Sequence, residues 1–131
     1  MGLKSSPPLT DELAGARILV AEDEILIALD IRSMLIDAGA EVLGPATTLA
    51  AAKTIAQTAS LTGAMLDVRL GRETSEAIAV TLSERNIPFV FYTGEALPAH
   101  IQARWPNCIV VAKPASQSVV VAAIACLIHA K

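Results

Sequence analysis

The chain reads as a doubly wound α/β domain, with a parallel five-stranded sheet between two layers of helices, and three observations predict it. Short apolar segments alternate with longer amphipathic ones along nearly the whole 131 residues, which is the sign of repeated βαβ units. More than half the residues are hydrophobic but only 3% are aromatic, so the core is built from Ala, Val, Ile and Leu, as suits helices layered on a buried parallel sheet. Finally, the apolar run Gly63–Asp67 ends in a carboxylate, and three other runs also end in reactive groups. Open α/β sheets bind ligands at that end of their strands.

Residues 1 to about 14 form a polar, proline-containing leader, expected to be flexible, and residues 15–131 form one domain. Met1 to Ser6 matches the short myristoylation pattern, but Pro7-Pro8 and the polar character of the segment favour a plain leader. The first strand is Arg17 to Ala21, followed by a helix with Ile27, Ile31, Met34, Leu35 and Ala38 on one face. Glu41 to Gly44 is the second strand, and the next helix turns Leu49, Ala52 and Ala56 inward. The third strand is Ala64 to Asp67. Its helix is expected from Thr74, as N-cap, to Arg85, where Asn86-Ile87-Pro88 stops it.

Phe89 to Thr93 is the fourth strand. The segment Gly94 to Pro106 holds two prolines and one glycine, which leaves room for only a short or irregular fourth helix. Ile109 to Ala112 is the fifth strand, and the last helix follows Pro114. That helix has two apolar faces, Val120, Ala123, Ile124 and Leu127 on one and Val121, Ala125 and Ile128 on the other. A helix on a sheet needs only one, so a partner or homodimer surface is one expectation and a generously apolar packing helix the other.

Several function classes are excluded by composition. A formal charge of -3 with no Lys/Arg cluster gives no reason to expect nucleic acid. Val119 to Ile128, the longest apolar stretch, is too short to span a bilayer, and no signal-peptide core is present. Cys108 and Cys126 lie in apolar runs without metal-ligand spacing, so both read as free thiols in a soluble cytoplasmic protein. His100 and His129 have no ligand context and read as surface residues, while Trp105 reads as packing or a surface anchor.

The chemistry concentrates at the strand ends. Glu22-Asp23 follow the first strand, Asp67 ends the third, Thr93 the fourth, and Lys113 follows the fifth. Three carboxylates that converge are not all ionised unless a cation compensates them, and hard oxygen ligands suit Mg2+. A carboxylate can also accept a phosphoryl group if a metal and a side-chain cation neutralise the transferring oxygens. Each residue has an ordinary alternative: Asp23 as a helix cap beside a solvated Glu22, Asp67 as the start of a polar turn, Lys113 as a surface lysine, Thr93 as a β-branched strand end. None of these explains why all sit at the same edge.

The ordered motifs Ile18 to Glu24, Met65 to Leu70, Phe91-Tyr92-Thr93-Gly94 and Ala112-Lys113-Pro114 resemble the receiver domain of two-component response regulators, over about Ala16 to Ala130. The resemblance implies a flavodoxin-like fold with strand order 2-1-3-4-5. It makes Asp67 the phosphoacceptor, and Glu22, Asp23, Asp67 and the Arg69 backbone carbonyl the Mg2+ ligands. Thr93 becomes the hydroxyl that follows phosphorylation and Lys113 the phosphate partner. A sensor histidine kinase or phosphotransfer protein would supply the phosphoryl group. With no second domain visible, the expectation is a stand-alone, single-domain receiver that acts through a downstream protein or as a phosphate sink, and is not an enzyme beyond self-phosphorylation and autodephosphorylation.

Departures from the family pattern bear on output. Leu70-Gly71-Arg72 stands where many receivers place a proline, and Val110 stands where an aromatic switch residue is usual. The Phe-x-Thr-Gly segment resembles a receiver subgroup with a reduced fourth helix, and Glu95 lies two residues past Thr93, where it is placed to influence the phosphate lifetime. Two rival readings use the same residues. An aspartate-nucleophile, Mg2+-dependent phosphatase shares the chemistry, but its Asp-x-Asp signature is absent from Asp67-Val68-Arg69. A non-phosphorylated flavodoxin-like interaction module shares the fold, but no Gly-rich phosphate loop follows Val20.

Overall fold

The computed structural model describes residues 11–129. The elements in chain order are β1 (Arg17–Ala21), α1 (Ile25–Asp37), β2 (Glu41–Ala46), α2 (Leu49–Thr58), β3 (Gly63–Asp67), β4 (Arg69–Leu70), β5 (Glu73–Thr74), α3 (Glu76–Glu84), β6 (Phe89–Thr93), α4 (Ala99–Arg104), β7 (Ile109–Ala112) and α5 (Gln117–His129). The main sheet is parallel in the order β2-β1-β3-β6-β7. Counting its five strands alone, this is the expected 2-1-3-4-5 order.

Period-two alternation sorts the strand residues onto two faces. Leu19, Ala21, Ala64, Leu66, Phe89 and Phe91 join Ala52, Ile78 and Ile101 in the core beneath α2, α3 and α4. Ile18, Val20, Met65, Val90 and Tyr92 join Ile31, Leu35, Val120 and Ile124 beneath α1 and α5. Three of the four aromatic rings cluster on the first face, where Phe89 meets Phe91 and Trp105 edge to face at centroid separations of 5.4 and 5.6 Å. Trp105 is thus a packing residue, with its indole N–H donating to Ser83 Oγ at 3.0 Å.

Three boundaries differ from those expected. Residues 11–14, assigned to the leader, form a turn in which Leu13 is fully buried and its N–H donates to Ala38 O at 2.9 Å. Residues 1–10, including the myristoylation-like segment, lie outside the described residues. Strand β2 runs on through a cis Gly44-Pro45 bond to Ala46, which an edge strand tolerates because proline there removes no central ladder bond. Gly44 has φ +111°, and a Cβ there would stand 2.7 Å from Ala46 N, so only glycine fits.

The N-cap position of the third helix is Ser75, one residue later than expected, but its side chain makes no cap bond, and Thr74 Oγ1 accepts the Glu76 N–H at 3.4 Å. The Thr74 backbone pairs with Arg69 in the antiparallel ribbon β4-β5, turned by Gly71 at φ +66°. The fourth helix is short, as expected, at six residues. Glu76 ties it to α3 through His100 Nε2 at 3.2 Å and Arg104 Nη1 at 2.9 Å. Both apolar faces of α5 are used largely for packing: Val120, Val121 and Ile124 are buried, and Ala123, Ala125, Leu127 and Ile128 lie against them. Among the described residues the exposed large apolar side chains are Ile25, Leu26, Leu29 and Ile36 of α1, Val110 of β7 and Val119 of α5. Among the described residues no helix is long and apolar enough to cross a membrane.

Candidate functional site

Parallel strands in register bring the reactive groups to the same sheet edge. Leu66 pairs with Ala21, so the residues after β1 stand beside Asp67. Asp67 in turn pairs with Tyr92, next to Thr93. Thr93 pairs with Ala112, and the following Lys113 N–H extends the ladder to Thr93 O at 2.9 Å. Short strands and their register, more than any local turn, assemble the site.

Lys113 is its electrostatic centre. Its ammonium lies 3.0 Å from Asp67 Oδ2 and 2.6 Å from Glu22 Oε1. Glu22 is 1% exposed, which rules out the alternative of a solvated acid. Its second oxygen, Oε2, accepts the Glu24 N–H at 3.0 Å. Oε1 is held by the Lys113 ammonium alone, in a close ion pair outside ideal hydrogen-bond geometry.

Asp23 does not cap α1, whose N-cap is Glu24 without a side-chain bond. It reaches across 48 residues of sequence to accept the Gly71 N–H at 2.8 Å, tying the β4-β5 turn over the acids. Oxygens of Glu22, Asp23 and Asp67 all lie within 4.8 Å of one another. Three hard carboxylate oxygens at this spacing, with one ammonium between two of the acids, fit a divalent cation of the Mg2+ type.

Burial pushes the Glu22 carboxyl up to about 7, against the opposing influence of Lys113 and the Glu24 amide. For Lys113, burial alone lowers the ammonium, but the Glu22 and Asp67 carboxylates outweigh it and hold the group above its ordinary value. The site is therefore a mutually stabilised cluster with one cation for two nearby carboxylates, poorly neutralised until a second cation arrives.

Beside it a cavity of about 360 Å3 is lined by Asp67, Arg69, Thr93, Glu95 and Lys113, with Glu24 at its rim. Thr93 Oγ1 faces this cavity and accepts the Glu95 N–H at 3.1 Å, leaving its own hydroxyl proton free to donate. A larger apolar cleft of about 500 Å3 lies around Trp105, Cys108 and Cys126 and includes none of the acids. Lys113-Pro114 is a cis peptide. Val110 points away, half exposed on β7.

The sequence-derived residues Glu22, Asp23, Asp67, Thr93 and Lys113 thus meet at one edge. Arg69 opens the ribbon beside them, its side chain exposed and lining the cavity. Two contributors escaped sequence reasoning. Gly71 acts through its backbone N–H, for which the sequence offers only a turn signal. Tyr92 lies in an otherwise ordinary apolar strand, and its hydroxyl was the one available hint.

The five-stranded 2-1-3-4-5 sheet that carries the acid pair, the aspartate, the threonine and the lysine along one edge is similar to the receiver domains of response regulators. No protein-family model and no curated protein matches the chain, whereas many solved structures do. The response regulator receiver protein of Sinorhizobium medicae is 29% identical, over 88% of this chain and 95% of that one, with a TM-score of 0.77. The signal receiver domain of a modulated diguanylate cyclase from Desulfovibrio desulfuricans is 27% identical over 87% of this chain and 94% of that one, with a TM-score of 0.76. The response regulator PhyR from Brucella abortus is 28% identical over 88% of this chain but only 49% of its own length, with a TM-score of 0.73.

Proposed function

We propose that the chain is a phospho-accepting switch in two-component signal transduction, with Asp67 as phosphoacceptor. The observation that carries this reading is the contact of Lys113 Nζ with both Asp67 Oδ2 at 3.0 Å and Glu22 Oε1 at 2.6 Å, at the mouth of a polar cavity. An ordinary surface lysine would not stand between a buried and a half-buried acid.

In the proposed reaction Asp67 attacks the phosphorus of a phosphohistidine on a sensor histidine kinase or phosphotransfer protein. The P–N bond breaks, a P–O bond to Asp67 forms, and the ring, already protonated on its other nitrogen in the phosphohistidine, leaves as neutral imidazole. Lys113 moves from the bare carboxylate to an oxygen of the new phosphoryl group, and the Thr93 hydroxyl donates to another. Hydrolysis of the acyl phosphate releases inorganic phosphate and restores the ion pair. Glu22, Asp23, Asp67 and the Arg69 carbonyl would hold Mg2+, which supplies neutralising charge on the transferring oxygens. Glu95, on the cavity wall, is placed to affect the approach of water.

On this reading the domain works in the cytoplasm by protein contact, through a downstream partner or as a phosphate sink, and is not an enzyme in its own right. A partner or homodimer contact on α5 would use the half-exposed Val119. The phosphatase alternative requires multiple turnover of phosphomonoesters at Asp67, and nothing in the site favours it.

The test is incubation with Mg2+ and acetyl phosphate followed by intact mass measurement. The parent is expected to gain one phosphoryl group and Asp67→Ala none. A gain that persists in Asp67→Ala refutes the assignment, and rapid phosphomonoester turnover lost in Asp67→Asn would establish the phosphatase instead.

A further inference from the structure

Tyr92 is the single tyrosine of the chain, and it touches the site from the side opposite the cavity. It pairs with Asp67 in the β3-β6 register, is 5% exposed, and lies in the core beneath α1 and α5. The Lys113 ammonium stands 5.4 Å from the centroid of its ring. Its hydroxyl accepts the Ala115 N–H at 3.3 Å. One side chain therefore contacts both the charged end of Lys113 and the backbone two residues beyond it.

The packing around this pair is otherwise loose. A cavity of about 120 Å3 separates Tyr92, Lys113 and Ala115 from Ile27 and Met34 of α1. Lys113 has a long arm, 18% exposed at its side chain, and needs a support to keep its ammonium between two acids. A ring face supplies one, because its negative quadrupole attracts the cation without competing for it as a third carboxylate would.

We propose that Tyr92 is the positioning residue for Lys113, its ring holding the ammonium toward Asp67 and its hydroxyl fixing the Lys113–Ala115 loop. The assignment rests on the reading of Asp67 as phosphoacceptor. It carries a consequence for output, since a phosphoryl group on Asp67 redirects the ammonium and changes the field at the ring. Tyr92 then reports the state to the α1/α5 side of the sheet, in a chain whose β7 offers Val110 and no ring.

The experiment compares the parent with Tyr92→Phe and Tyr92→Leu. Phosphoryl uptake from acetyl phosphate is followed by intact mass, and Mg2+ affinity by calorimetry. The parent is also labelled with 3-fluorotyrosine, which marks Tyr92 alone. Tyr92→Leu is expected to slow uptake about fivefold, since it loses the cation–ring interaction. Tyr92→Phe keeps the ring and stays within about twofold to threefold of the parent, because it loses one long hydrogen bond.

Mg2+ affinity stays at the parent value in both, and the fluorine resonance of the labelled parent shifts when Mg2+ and beryllofluoride occupy the site. Equal losses of Mg2+ affinity and uptake would show a merely structural residue and overturn the assignment. If Tyr92→Leu does not fold, an unmoved fluorine resonance overturns it just as well. A parent that takes up no phosphoryl group refutes the Asp67 reading and this one with it, whereas a phosphorylated parent beside an unslowed Tyr92→Leu refutes Tyr92 alone.

Discussion

Replacing Lys113 with methionine keeps most of the side-chain length and removes the charge that touches both Glu22 and Asp67. Taking one partner from a buried ion pair costs about 3–5 kcal/mol when the remaining charge has no escape. Glu22 does have one. At 1% exposure its carboxyl is already raised from 4.5 to about 7, chiefly by burial, and Lys113 is the strongest influence opposing that rise. Without the ammonium the folded-state value climbs further.

A carboxyl raised on folding binds its proton more tightly in the native state, so its contribution to stability is complete below 4.5 and lost as pH rises toward about 7. In Lys113→Met that loss extends to higher pH. Near pH 5 Glu22 is neutral in both proteins and the substitution costs about 1 kcal/mol, the scale of one lost charged contact with half-buried Asp67. Near pH 8 the parent keeps an ionised pair while the variant must hold an unpaired acid, and the difference grows to about 3 kcal/mol. Millimolar Mg2+ is expected to recover most of it, because the cation replaces the missing charge. Urea unfolding at the two pH values, with and without Mg2+, measures all four numbers. A destabilisation that is equal at both pH values and indifferent to Mg2+ would refute the charge-cluster argument.

Two further substitutions test the frame that holds the site. Leu13→Ala is expected to cost about 2–5 kcal/mol by urea unfolding, since Leu13 is fully buried against the α1/α5 core; a neutral result would return residues 11–14 to the leader. Gly44→Ala places a Cβ 2.7 Å from Ala46 N at φ +111°, and a thermal unfolding loss worth about 1–3 kcal/mol is expected. A variant as stable as the parent would mean that the β2 edge rearranges freely.

The legible parts of this protein were those set by local pattern. The apolar runs Arg17–Ala21 and Phe89–Thr93 appear in the structure as strands because a strand buried on both faces needs continuous hydrophobicity. The pattern of acids, threonine and lysine at strand ends was also legible, because parallel strands joined by right-handed crossovers all present the same end. Even the short α4 followed from two prolines and a glycine. Thr74 was legible in part: its hydroxyl accepts the Glu76 N–H as a cap does, while pairing with Arg69 across the Gly71 turn claims its backbone for a ribbon.

What the sequence by itself determined was the order of the strands' contents, the two helical layers and the identity of the reactive groups. Only the tertiary structure decided their states. That Glu22 is buried, that Asp23 is tied to Gly71 across 48 residues, that Lys113 bridges Glu22 and Asp67, and that Tyr92 lies against Lys113 are all matters of long-range packing. Desolvation and charge coupling depend on neighbours in space, and those neighbours come from different strands. A residue's type names the chemistry it can do, while the fold sets its surroundings and so its charge, its reach and its partner.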